Sequence, residues 1–201
     1  MIVKNDFKVR QVTITTKRLI LRPWKTTDLL NYHKFAGVSG VGEMAGWKSH
    51  RSVNESKHVI NKMISHNTGL AVTLKGTDII IGCVKLERVN AVRNKGEDAD
   101  KQEVMSTGRR CAQINLTLST NMRGVGLGHE TVHALLKWLE EYRKMQILFA
   151  DIRKDNEAGI RVFKKSKFEQ FDEIAAVDLN EKPIRLLRFA RINQESILEK
   201  K

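Results

Sequence analysis

The sequence predicts one domain of the α/β (α+β) class, a mixed sheet with helices on its faces. Two observations carry this. Apolar periodicity and turn signals read in the order β-αα-βββ-α-β-α-ββ, which interleaves helices and strands without a regular βαβ repeat. The chain has 201 residues, 41% of them hydrophobic, enough for one well-packed core.

KRLILRPW (17–24) is a short strand stopped by Pro23. KTTDLLNYHKFA (25–36) reads as a helix that Thr26, Thr27 or Asp28 can cap. A glycine-broken loop over 37–53 leads to a second helix, ESKHVINKMISH (55–66). GLAVTLKGTDIIIGCVKLERV (69–89) is a hairpin of two apolar strands around a KGTD turn. Residues 90–109 have almost no apolar periodicity and read as an exposed, mobile loop. CAQINLTLST (111–120) is a strand, and in the next helix Val132, Leu135, Leu136 and Leu139 form one buried face. MQILFADI (145–152) is a buried strand, NEAGIRVFKKS (156–166) a helix capped by Asn156, and FEQFDEIAAVDL with PIRLLRFARI a closing pair. The expected organisation is an N-terminal extension over 1–15, the domain over 16–192 and a frayed tail over 193–201.

Lys and Arg outnumber Asp and Glu by 36 to 23, a formal charge of +13. That excess suits an anionic ligand or partner, and equally a generic solvated basic surface. No aromatic-interleaved basic run or nucleic-acid module accompanies it. No stretch nears the ~18 continuous apolar residues of a membrane span, and the first residues lack a signal-peptide core. Cys83 and Cys111 form no framework, as expected of reduced thiols in a cytoplasmic protein.

The most informative stretch is NMRGVGLGHETV, residues 121–132. Gly124, Gly126 and Gly128 alternate behind Arg123, between a strand and a helix. A helix N-terminus offers unpartnered N–H groups and partial positive charge, glycines open the backbone to phosphate oxygens, and Arg123 adds a charged fork. A P-loop would need Lys-Ser/Thr after the last glycine, where His129-Glu130 stands. A dinucleotide fingerprint would need G-x-G-x-x-G in a βαβ unit, which is missing.

Arg123-Gly124-Val125-Gly126-Leu127-Gly128 does match Arg/Gln-x-x-Gly-x-Gly/Ala, and so resembles the acetyl-CoA pyrophosphate loop of the GNAT N-acetyltransferases. TKRLILRPWKTTDL is similar to the opening of the branch that contains the ribosomal-protein N-acetyltransferases, and NEAGIRVFKKSKF to that family's second motif. AGWKSHRSVNES (45–56) resembles a segment of some bacterial members. The likeness runs from about Thr16 to Arg191.

The resemblance implies a mostly antiparallel sheet whose fourth and fifth strands, Gln113–Leu118 and Gln146–Ile152, splay around the pantetheine of acetyl-CoA. It implies that amides of Gly124, Val125, Gly126, Leu127, Gly128 and His129 hold the pyrophosphate, with Arg123 beside them. Asn156 would bond the pantetheine arm, Phe163 would pack beside it, and Lys164, Lys165 or Lys167 would meet the 3′-phosphate. The main-chain N–H of Leu118 would polarise the thioester carbonyl. The reaction would be direct acetyl transfer to a primary amine, a protein N-terminus or a small molecule. Because amines are mostly protonated at neutral pH, a base must take a proton. His50 is the best base by residue type, Trp47 a candidate pocket wall, and Glu55 or Glu43 a candidate amine attractor. A homodimer is one implied assembly, and nucleic acid enters only through a ribosomal setting.

Departures keep other readings open. Gly159 and Phe163 stand where relatives often carry a serine or tyrosine that protonates the leaving sulfur, Gln113 stands where a glutamate often does, and Lys167 replaces a glycine. A weakened acyl-CoA-binding module and a basic ribosome- or RNA-associated protein are the alternatives. His129 and His133 lie one turn apart like metal ligands, but no third ligand is in view, so no metal is expected.

Overall fold

The computed structural model describes residues 7, 9–89 and 110–193; the loop expected over 90–109 and the tail from 194 lie outside the described residues. Eight strands form one sheet: β1 (Ile14–Thr15), β2 (Leu19–Pro23), β3 (Gly69–Leu74), β4 (Ile80–Val89), β5 (Cys111–Leu118), β6 (Ile147–Arg153), β7 (Glu169–Val177) and β8 (Pro183–Ile192). Their spatial order is β1-β2-β3-β4-β5-β6-β8-β7. Every adjacent pair is antiparallel except β5 with β6. Among the described residues four α-helices pack on it: α1 (Leu29–Ala36), α2 (Val53–His66), α3 (Leu127–Lys137) and α4 (Glu157–Lys165). Among the described residues no helix is long and apolar enough to cross a membrane.

Period-two alternation divides the strand side chains between two cores. Leu70 and Val72 join Val132, Leu135 and Phe163 under α3 and α4. Ala71, between them, joins Tyr32, Phe35 and Ile60 under α1 and α2. Helices therefore cover both faces.

The start of the chain contributes more than the sequence pattern suggested. Ile14 and Thr15 pair with Leu21 and Ile20, and Phe7 and Val9 are buried in the core. A two-residue strand leaves no periodicity to read. The expected fourth and fifth strands are consequently β5 and β6. Helix α2 begins two residues before the expected Glu55, because Ser52 Oγ accepts the Glu55 N–H at 3.2 Å. Of the three cap candidates before α1, Asp28 is engaged, accepting the Lys25 N–H and a bidentate Arg22 guanidinium.

One irregularity positions the site. Strands β5 and β6 share only three rungs, Cys111↔Ile147, Ala112↔Leu148 and Gln113↔Phe149. Beyond them β5 stays paired with β4 as far as Gly82↔Leu118, and β6 with β8 as far as Arg153↔Leu186. Each strand keeps its outer neighbour, so the sheet opens between them. Gly82 permits the close β4–β5 approach: a Cβ there would lie 2.5 Å from both the Thr117 carbonyl oxygen and Leu118 Cδ2. Gly82→Ala should therefore destabilise by about 2 kcal/mol through overpacking, read as a lower denaturation midpoint at unchanged slope.

Candidate functional site

The opening exposes main chain. Ser119 N–H donates to the Ile81 carbonyl at 2.8 Å. By antiparallel alternation, the odd-numbered residues of β5 are bonded to β4, while Ile114, Leu116 and Leu118 turn their N–H and C=O groups toward β6. On β6, the bonds Lys154 N–H to Arg185 O and Asn193 N–H to Gln146 O fix the opposite parity. Asp151 and Arg153 thus aim their backbone groups at β5. Two rows of peptide groups thus face each other across the gap.

At one mouth of the gap lies the glycine turn. Gly124 (φ 80°) and Gly126 (φ 83°) are left-handed, and Gly126 is the N-cap of α3. A Cβ on Gly124 would meet nothing within 4 Å, and on Gly126 only Arg18 Nη2 at 3.5 Å. Both therefore present open backbone. Gly128 has another role, since its Cβ would lie 3.0 Å from Val162 Cγ2 and 3.4 Å from Leu118 Cδ1. It lets α3 pack closely on α4 and β5. Below the turn, Glu130 accepts from Thr16 Oγ1, from the Arg18 N–H at 2.9 Å and from Arg18 Nε at 2.7 Å. Burial pushes the Glu130 carboxyl up, but these donors outweigh it and hold the group below its usual range. Arg18 Nη1 continues to the Val125 carbonyl at 2.9 Å, bracing the tip of the turn.

His129 Nδ1 lies 3.1 Å from Ser166 Oγ, whose single proton goes to the Val162 carbonyl at 2.9 Å. The imidazole must then donate, so Nδ1 carries the hydrogen. Burial lowers its pKa, and Lys165 and His133 add to the effect. Among the described residues no group of three or more His, Cys, Asp or Glu is arranged to hold a metal.

Two cavities meet at the gap, sharing Met44, Ala45, Leu116, Asn156, Gly159 and Phe163 as walls. The first, about 260 Å³, is also lined by Leu118, Arg123, Gly124, Gly126, Gly128 and His129. Of the other residues expected at the cofactor, Val125 is exposed at the turn's tip and Leu127 is buried beneath it. Lys164 does not line the cavity, whereas Lys165 does. Asn156 Oδ1 accepts the Gly159 N–H at 3.0 Å, capping α4 at the cavity wall. A Cβ on Gly159 would lie 2.9 Å from Asn156 Nδ2 and 3.1 Å from Ile152 Cγ2, so a serine there would disturb the cap. Phe163 belongs to both worlds, lining the cavities while stacking edge-on against Phe168.

The second cavity, about 340 Å³, is lined by β5, β6 and the β7–β8 end, including Gln113, Asp151, Arg153 and Asp178. The acceptor-side residues singled out by sequence lie outside both cavities, except for Glu43, which lines the second. His50 is 8% exposed, its Nδ1 2.9 Å from Ser56 Oγ and its ring packed on Tyr32 and Trp47. Burial lowers its pKa, offset in part by Glu55. Trp47 is half-buried, close against Gly42 and packed on the α1–α2 core. Glu55 accepts the Arg51 N–H at 2.8 Å at the start of α2.

Asp151 was missed. Its Oδ1 accepts from Arg188 Nε at 3.1 Å and its Oδ2 from Gln113 Nε2 at 3.4 Å, leaving its side chain 17% exposed. A carboxylate at the end of the apolar run ILFA (147–150) is the available signal. Gln113, donating through Nε2, keeps its Oε1 as an acceptor.

An open helix N-terminus beside a slot between two parallel strands has the donors and the room for a long ligand with an anionic head. The chain belongs to the GNAT acetyltransferase family: the acetyltransferase (GNAT) domain matches residues 18–169. Solved structures share the fold. A GNAT-family acetyltransferase from Bacillus anthracis is 16% identical with a TM-score of 0.73, over 90% of this chain and 98% of that one. A putative ribosomal-protein-serine acetyltransferase from Vibrio cholerae is 15% identical with a TM-score of 0.69, over 92% and 99%. Spermidine N-acetyltransferase from Vibrio cholerae, solved with CoA and spermine, is 14% identical with a TM-score of 0.69, over 90% and 99%.

Proposed function

We propose that this protein is an acetyl-CoA-dependent N-acetyltransferase that passes the acetyl group directly to a primary amine in a ternary complex. The observation that carries the reading is the parting of β5 and β6 after three rungs, with a bare helix N-terminus at one mouth and an amide–carboxylate pair at the other. In this reading the amides of 124–129 hold the diphosphate, while Asn156 and the inward peptide groups of β5 and β6 guide the pantetheine arm. Acetyl-CoA supplies a thioester already activated toward amines.

The chain's residues do the rest. Asp151, with Gln113 Oε1 beside it, receives the acceptor ammonium and takes one proton, freeing the nitrogen lone pair. This assigns to Asp151 the role that residue type alone suggested for His50. The inward Leu118 N–H would donate to the thioester oxygen and stabilise the negative charge that grows there as the amine adds. Neither Gly159 nor Phe163 has a proton to give, so when the carbon–sulfur bond breaks solvent would have to protonate the leaving thiolate. The nitrogen's second proton leaves to solvent, so an amide and free CoA result. The acceptor is a protein N-terminus or a small-molecule amine.

Calorimetry with acetyl-CoA should give a dissociation constant in the micromolar range. Absence of heat at 1 mM ligand, on the order of the upper limit for such cofactors, would end the reading. The missing donor at Gly159 and Phe163 favours one second reading, a binding module with slow chemistry. Thiol release above the hydrolysis background with any amine in a panel of peptides and polyamines would defeat it.

A further inference from the structure

The loop between α1 and α2 is a wall of both cavities, through Met44 and Ala45, and its Val41 lines the first. A short chain of hydrogen bonds ties this wall to the glycine turn. Gly40 is left-handed (φ 81°), and its N–H donates to Glu43 Oε2 at 2.8 Å. The other Glu43 oxygen accepts from Ser49 Oγ at 2.7 Å, which closes the loop on itself. The Gly40 carbonyl accepts from Arg123 Nη2 at 3.0 Å. The same nitrogen donates to the Leu118 carbonyl at 3.4 Å, on the opposite wall. Both Nη2 hydrogens are therefore spent on main chain, one on each side of the cleft.

A guanidinium has five N–H groups in one rigid plane. With Nη2 engaged, those on Nε and Nη1 remain, on an exposed residue that lines the first cavity beside Gly124 and Gly126. Fixing one edge of a rigid plane fixes the other. We infer that Arg123 is a positioning residue that couples cofactor binding to the acceptor-side wall, one edge latched to Gly40 and Leu118, the other meeting the diphosphate. The inference rests on the acetyl-CoA reading above and adds an order of events. A bound diphosphate pins the guanidinium, the guanidinium holds the Gly40 turn, and Met44 and Ala45 settle into the shape the amine meets. By linkage, whatever factor the cofactor adds to acceptor affinity the acceptor returns to the cofactor.

Hydrogen–deuterium exchange on the full chain tests this without knowing the acceptor. Two ligands serve as probes: CoA, and its nucleotide half, adenosine 3′-phosphate 5′-diphosphate, which has no pantetheine arm to shield the wall directly. In the wild type, saturation with either should slow exchange at 124–129 and, several-fold, at 38–46. In Arg123→Ala, the free protein should exchange 38–46 several-fold faster than wild type, and the nucleotide half should no longer slow that segment. Arg123→Lys keeps the charge but not the fork, and should restore protection at 124–129 more than at 38–46. Protection at 124–129 with 38–46 unchanged in the wild type would overturn the coupling and leave the acetyl-CoA reading intact. So would wild-type exchange at 38–46 in free Arg123→Ala. If neither probe protects 124–129, the acetyl-CoA reading fails and the coupling falls with it.

Discussion

Gly126→Asp should weaken acetyl-CoA binding by about 100-fold or more while leaving the melting temperature nearly unchanged. The two halves of this expectation have one origin. Gly126 is the N-cap of α3, and aspartate is among the preferred N-cap residues because its carboxylate accepts the orphan N–H groups of the first turn. Those are the N–H groups that the proposed function assigns to the diphosphate. A left-handed φ of 83° costs an L-residue about 1–2 kcal/mol, and a cap returns about 1 kcal/mol, so stability shifts little. Arg18 Nη2, 3.5 Å from the new Cβ, gives the carboxylate a second partner and holds it in the turn. The arriving diphosphate then meets a like charge at contact distance, worth about 1–4 kcal/mol at effective dielectrics between water and a protein surface. It also finds its donors occupied. Calorimetry and thermal melts of the same preparation check both halves. Binding within tenfold of wild type would mean that the diphosphate does not sit at this turn.

That turn was legible because its signal is local. Alternating glycines, an arginine and a following 3.6-residue period lie within about twenty positions, and backbone geometry there depends on little else. What could not be read is that the three glycines answer to two different demands. Gly124 and Gly126 need a left-handed backbone, whereas Gly128 needs room beside Val162 on α4, an element 34 residues away in the chain. The opening between β5 and β6 is harder still. CAQINLTL alternates like any half-buried strand, and nothing in residues 114–118 says that the partner leaves after Gln113. Absence of a neighbour is a tertiary fact.

His50 and Asp151 show the same limit from two sides. Residue type favours imidazole as a base at neutral pH. Position sets His50 apart from both cavities, because Tyr32, Trp47 and Ser56 enclose it and burial disfavours its charged form. Asp151 lies in a strand that the sequence marks only as buried, and it is the folded sheet that brings Gln113 and Arg188 to it. Lys167 is instructive too. It stands where the family's second motif has glycine, and its φ is 61°, so the chain keeps the left-handed turn into β7 at some conformational cost.

Asp151→Asn should lower kcat/KM for the amine about 10²- to 10⁴-fold at neutral pH with acetyl-CoA affinity unchanged. The substitution is nearly isosteric, and the asparagine oxygen can still accept from Arg188 Nε, so the fold should survive with a melting point lower by a few degrees at most. What disappears is the charge that attracts an ammonium and accepts its proton. Lost geometry alone would depress the rate at every pH. Lost proton acceptance has a different signature, because the defect should shrink as the amine deprotonates by itself. The pH at which it shrinks then reports on the acceptor. An α-amino group has a pKa of about 8, and an alkylamine of the lysine type about 10.4. Recovery of the variant toward wild type near pH 8 would point to a protein or peptide N-terminus, and recovery only near pH 10 to a polyamine or side-chain amine. A defect that is constant from pH 6 to about 10 would remove Asp151 from the proton path and leave it as a strut between Gln113 and Arg188.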